Sequence, residues 1–210
     1  MRGNGYYWAD YVLEDFEHAA FEPGDVVLDL GCGPGHQLDA LIERGATAFG
    51  LDVLESDLAA CRGRGLDVFR AVGEEVPLRT GSLDGIVCKV VVPLTDEAAV
   101  LSETARVLRA GGEACFTYHG AGYYLRYLLG RPPHAAFRFY GLRTLVNGWY
   151  YALFGRRLPG WLGDTIYQSR ARLARHYERY GLELVRESPS PTFLGWPVFL
   201  YHHLRKTGRS

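Results

Sequence analysis

The sequence predicts an α/β fold, a doubly wound sheet of mainly parallel strands. Three observations predict it. Short apolar runs alternate with stretches of helical period, which is the order of repeated strand–helix units. The first apolar run ends in an acid and a glycine-rich turn that leads straight into an amphipathic helix. The length of 210 residues, 48% hydrophobic and 22% charged, fits one domain, 1–210, that buries a core of ordinary size.

The organising stretch is Val26 to Gln37, V-V-L-D-L-G-C-G-P-G-H-Q. Val26–Leu30 reads as a buried parallel strand, and Leu38, Leu41 and Ile42 share one face of the helix that follows. Gly31, Gly33 and Gly35 remove side chains where the backbone turns sharply and approaches a ligand. The helix N-terminus behind them offers N–H groups to an anionic group. A dinucleotide fingerprint requires a third glycine where His36 stands, so a nicotinamide-dependent oxidoreductase fails here.

Asp29 to Gly35 matches D-x-G-x-G-x-G. It resembles motif I of the class I S-adenosylmethionine-dependent methyltransferases, of the type 11 kind. The resemblance implies a Rossmann-like sheet of seven strands with the last antiparallel. It also implies a glycine loop passing under the methionine part of S-adenosyl-L-methionine, with S-adenosyl-L-homocysteine as product. Asp29, Gly31, Cys32, Gly33 and Gly35 become cofactor-loop candidates.

Ahead of this loop, Tyr11, Val12, Phe16 and Ala19 fall at near-helical spacing. The resemblance makes Tyr7 a cofactor contact, and packing of the aromatics on the core explains them equally well. Pro23-Gly24 is a turn, and Gly45 ends the first helix. Ala46–Leu51 reads as the second strand, ending at Asp52. One carboxylate there can accept from both hydroxyls of a ribose, which is the role the resemblance implies for Asp52, with Val53 beside it. A carboxylate at the start of the helix near Ser56 and Asp57 is the alternative.

Leu66–Val72 reads as a third strand, and Gly73 and Glu74 begin the turn that the resemblance assigns to adenine. An acid common in the family is replaced there by Val72, so Glu74 or a backbone carbonyl takes its place. Asp84–Val92 reads as the fourth strand, with Lys89 near its ligand end, either a site residue or a surface lysine. A helix is expected over Thr95–Arg109, capped by Thr95, and a fifth strand over Glu113–Tyr118. His119 follows at the ligand end, where it can take a proton from a hydroxyl or amine, and is the catalytic candidate.

Residues 119–163 exceed what the resemblance requires and read as a lid or cap insertion between strands five and six. They contain no acid, six arginines and eleven aromatics, so the rest of the chain carries about −7 of the net −1. This asymmetry suits a lid over an acidic, aromatic or lipid-like substrate, or peripheral membrane contact. Tyr118, His119, Tyr123 and Arg126 are the substrate candidates. Asp164–Tyr180 is expected as a helix with Thr165 and Gln168 as a capping box. Leu182–Glu187 and Val198–Leu204 read as the last strands, with a loose tail from Lys206.

The net charge gives no bias toward nucleic acid. No secretory signal, no membrane-spanning run and no C-x-x-C pair is evident, so a cytoplasmic protein with reduced, buried thiols and no metal site is expected. Methyl transfer to the oxygen or nitrogen of a small-molecule acceptor is the leading expectation. RNA or protein methylation is a weaker one, since V-V-V-P-L stands where an N-P-P-Y signature would be. A protein that binds the cofactor without chemistry would keep the same motifs.

Overall fold

A computed structural model describes residues 20–132 and 134–208. Tyr7 and the helix expected near the start lie outside them.

The chain runs β1 (Val26–Leu30), α1 (His36–Glu43), β2 (Thr47–Asp52), α2 (Glu55–Gly63), β3 (Val68–Arg70), β4 (Leu83–Lys89), α3 (Glu97–Val107) and β5 (Leu108–His119). Two insertion helices follow, α4 (Ala121–Leu129) and α5 (Ala135–Phe154). Then come α6 (Arg170–Tyr180), β6 (Leu182–Ser188), the short strands β7 (Thr192–Phe193) and β8 (Trp196–Pro197), and β9 (Phe199–Lys206). The seven-stranded sheet has the order β3-β2-β1-β4-β5-β9-β6. β1 is parallel to β2 and β4, and β9 is antiparallel to both β5 and β6.

Side chains alternate across a strand, so β1 feeds two cores. Leu28 and Leu30 join Ile86, Phe116 and Tyr118 on one face, while Val27 joins Val87, Leu38 and Leu58 on the other. β1 is buried on both faces, which is why it is an unbroken apolar run. The four cysteines are free thiols, all buried.

Several elements differ from the sequence expectation for physical reasons. β4 ends at Lys89, because Val90 turns to φ 60° while its N–H still reaches Thr117 O at 2.8 Å. α3 is capped by Asp96, whose Oδ1 accepts from the N–H groups of Ala98 and Ala99. Thr95 instead donates its hydroxyl to Val92 O. Residues 164–169 are not helical. The N–H of Ile166 donates to Pro93 O and that of Gln168 to His119 O, which ties this strap to the turn after β4 and to the end of β5. Thr165 bonds Asp164 and Gln168 bonds Ile166 O, so no capping box forms, and α6 starts at Arg170. The chain from Lys206 is held through residue 207: Lys206 Nζ donates to Leu108 O at 2.7 Å and Thr207 N to Gly181 O at 2.8 Å.

The insertion is tied down by small and polar residues. At Gly141 a Cβ would lie 2.6 Å from Tyr124 O, so only glycine lets α5 approach α4 this closely. Asn147 is fully buried; its amide donates to Thr165 O and its carbonyl accepts from Leu158 N, both at 2.8 Å. Among the described residues no helix is long and apolar enough to cross a membrane.

A buried ion pair joins α3 to α6. Arg172 donates to both oxygens of Glu97 at 2.9 and 3.1 Å, and His176 approaches the same carboxylate at 3.1 Å. Burial alone would push the Glu97 carboxyl up, but the His176 bond and the Arg172 guanidinium outweigh it and hold the group below its ordinary 4.5. Arg172→Met leaves that carboxylate buried with His176 as its remaining partner, and is expected to cost up to about 3–5 kcal/mol in denaturant unfolding. A carboxyl depressed in the folded state stabilises above its unfolded pKa. The parent's extra stability is therefore present above about pH 4.5 and lost as the pH falls through the depressed value.

Candidate active site

The ligand edge of the sheet is assembled around the loop after β1. The N–H groups of Gly31 and Cys32 both donate to Leu51 O, at 2.8 and 3.0 Å, and pull the loop onto the end of β2. Asp52 completes the attachment: Oδ2 accepts from Gly33 N and Oδ1 from Leu54 N, each at 2.9 Å. A carboxylate oxygen has two lone-pair sites, so both oxygens keep an acceptor position for a ligand hydroxyl.

Gly31 has φ 78°, and a Cβ there would lie 2.1 Å from Val91 Cγ2. At Gly33, φ 49°, a Cβ would meet nothing within 4 Å, so the loop is open on that side. Gly35 is the left-handed residue that starts α1. Asp29 is buried on β1, opposite Gly50 and Val87 in register. Burial first, then the nearby Asp29, Cys61 and Asp52, push the Cys32 thiol up, so it is held protonated and inert as a nucleophile.

Val53 and Val72 are exposed beside the ends of β2 and β3, an apolar border suited to a ring. Gly73 packs near Leu30 and Val100. Glu74 turns toward α3 and accepts from Asp96 N at 2.9 Å. Lys89 is half-buried at the end of β4.

At the end of β5, His119 is buried and stacks on Tyr123, with ring centroids 3.7 Å apart and planes at 11°. Its Nδ1 lies 3.3 Å from the Tyr124 hydroxyl. Burial drives its pKa from 6.5 down to about 3, so the imidazole is neutral throughout the physiological range. The Tyr123 and Tyr127 hydroxyls are 2.9 Å apart, and Arg126 borders the same cleft. Tyr118 does not join this group. It lies on the opposite face of β5, fully buried, bonded to Tyr177 at 3.0 Å, and Tyr177 in turn lies 2.8 Å from His202 Nδ1.

Two features escape sequence reading. Val90 is a β-branched residue in the left-handed region, a strained conformation of the kind found at ligand sites. It turns the chain so that Val91 covers Gly31. The strap 164–169 crosses to His119, and only its disagreement with the helix expectation marks it. Three valines in a row gave the signature of a strand.

The residues fit S-adenosylmethionine: a loop open at Gly33, an acid with remaining acceptor positions at the end of β2, and an apolar border at Val53 and Val72. Residues 28–116 match the family model described as a methyltransferase domain. Two relatives are named ubiquinone biosynthesis O-methyltransferase. That of Hahella chejuensis is 32% identical over 113 residues, covering 50% of this chain and 48% of its own. That of Sodalis glossinidius is 26% identical over 188 residues, covering 80% and 69%. The chain thus spans about half to two thirds of the length of these relatives. A solved S-adenosylmethionine-dependent methyltransferase from Mesorhizobium loti superposes with TM-score 0.65 at 22% identity, covering 88% of this chain and 92% of that one. The magnesium protoporphyrin IX methyltransferase of Synechocystis, solved with bound SAH, gives 0.61 at 15%, covering 88% and 75%. The chain carries the Rossmann-like methyltransferase fold. Its residues 28–116 are similar to the methyltransferase domain of class I S-adenosylmethionine-dependent methyltransferases.

Asp52→Ala is expected to weaken S-adenosylmethionine and S-adenosylhomocysteine at least tenfold in calorimetric titration, about the 1.5–3 kcal/mol of a charge-assisted bond. Binding of NADH in place of both would refute the assignment. Gly31→Ala meets Val91 and forces alanine into the left-handed region, a backbone cost of about 1–2 kcal/mol. It should lower the thermal midpoint and remove cofactor binding together.

Proposed function

We propose that this chain methylates a hydroxyl of a small, apolar, ring-bearing or lipid-like acceptor, with S-adenosylmethionine as donor. The observation that carries this reading is a groove of about 460 Å³ in the insertion, walled by Leu125, Trp149, Tyr150, Leu153 and Trp196. It borders Ala121, two residues beyond His119, on the same strand edge as Asp52 and the glycine loop. The name borne by the two relatives supports oxygen over nitrogen as the methylated atom.

When bound, the sulfonium supplies a methyl group already activated for transfer. What remains for the chain is to align an acceptor with it, and positioning of this kind can supply roughly 7–11 kcal/mol of a barrier. The glycine loop and Asp52 fix one partner. The aromatic walls of the groove orient the other, beside the separate cleft lined by Tyr123 and Tyr127. We assign to His119, at the end of β5 two residues before the groove's Ala121, the role of accepting the acceptor's proton. Being neutral, it is in the form that accepts, and its low basicity makes it a weak base that depends on burial for orientation.

Turnover followed as S-adenosylhomocysteine release, with a panel of phenols, catechols, amines and carboxylates, tests the reading. Apolar phenols or catechols should be methylated. Methylation of amines alone would sink the choice of oxygen, and tight cofactor binding without turnover on any acceptor would leave a binding protein. His119→Ala should lower kcat by about 10²-fold, the lower end for a general base. Since His119 titrates near 3 and not 6.5, the parent's rate should show no histidine limb between pH 5.5 and 8. A limb near 6.5 that vanishes in His119→Ala would contradict the buried, neutral imidazole.

A further inference from the structure

We propose that the outer face of α5 docks on a lipid bilayer bearing anionic headgroups. Phe139, Leu142, Val146, Trp149 and Leu153 recur three or four residues apart along this helix, so they form one stripe, and every one of them is exposed. Trp149 and Leu153 are 72% and 73% exposed, unusual for side chains of this size. Trp161 extends the stripe by packing on Phe139 at 5.7 Å, and Trp196 lines the same groove as Trp149.

Charge decides between occupants. No acid occurs between Glu113 and Asp164, and Arg131, Arg138 and Arg156 are exposed around the stripe. Asp164, where the acids resume, pairs with Arg143 at 2.6 Å. A second copy of the chain would meet the stripe through the same surface, arginine against arginine with no carboxylate to answer. An anionic lipid surface answers both features, headgroups to the arginines and acyl chains to the stripe. No described helix can span a bilayer, so α5 lies in the interface plane. This surface stands whether or not the acceptor proposed above is correct.

The test is co-sedimentation of the full chain with vesicles of phosphatidylglycerol and phosphatidylcholine, against phosphatidylcholine alone. The parent should pellet with the anionic vesicles and stay in solution with the neutral ones. Phe139→Ser with Leu142→Ser, and separately Arg131→Glu with Arg156→Glu, should each reduce the partition by about tenfold or more. Both variants should keep the parent's thermal midpoint and affinity for S-adenosylmethionine, since the changed side chains are exposed and away from the cofactor loop. Partition unchanged in both variants would overturn the proposal. So would absence of vesicle binding by the parent, with or without a concentration-dependent dimer that the Phe139→Ser, Leu142→Ser variant abolishes.

Discussion

Asp52 holds two loops with one side chain, and the shape of the ligand edge depends on it. Register between β1 and β2 brings Leu30 opposite Leu51, and the next two N–H groups of the first chain both turn onto Leu51 O. The loop would still be free to swing outward at Gly33, which has open space on one side. The carboxylate stops it there, and its other oxygen fixes Leu54 at the entrance to α2. A neutral amide could accept at only one of its two heads, so it would hold one loop and release the other. Asp52 is therefore a structural part of the glycine loop itself.

The ends of β4 and β5 are fixed by a different device, backbone bonds reaching across them. The strain at Val90 brings Val91 over Gly31, and the turn that follows presents Pro93 O to the strap. The strap then reaches His119 O, and Asn147 binds the strap to α5. The insertion is thus joined to the last residue of β5 through a short run of directed bonds. α5 is linked in this way to the backbone of His119 through Thr165 and Gln168.

Local features made much of this legible in the sequence. Strands buried on both faces are unbroken apolar runs, so β1 and the alternation of strands and helices could be read directly. The glycine loop and Asp52 lie within a short span whose conformational needs are written in residue type. What escaped depends on partners far along the chain. Arg172 pairs with Glu97 across 75 positions, and no local pattern marks either as buried. Thr165 and Gln168 have the spacing of a capping box, but the strap's backbone is committed to Pro93 and His119. Val90 has strand propensity and breaks the strand. Tyr118 and His119 are neighbours in sequence and face opposite sides of β5, so only one of them reaches the ligand edge.

The insertion's charge survives folding because of how its arginines are satisfied. A guanidinium buried or half-buried against protein needs acceptors, and a carboxylate would supply them while cancelling the charge. Here the acceptors are largely backbone carbonyls. Arg138 donates to Leu128 O and Gly130 O, and Arg157 to Thr95 O and Asp164 O. Arg143 alone of these adds a carboxylate, that of Asp164, to its bond with Trp161 O. Carbonyls close helix ends and loops without removing positive charge. The segment thus acquires a fixed internal structure and retains a positive field over an apolar face. A sequence selected only for a stable cap would be free to place acids at such positions. Their absence over the whole span from Ala114 to Gly163 is what sets this segment apart from the rest of the chain, where carboxylates pair with Arg62, Arg64, Arg106, Arg109 and Arg170.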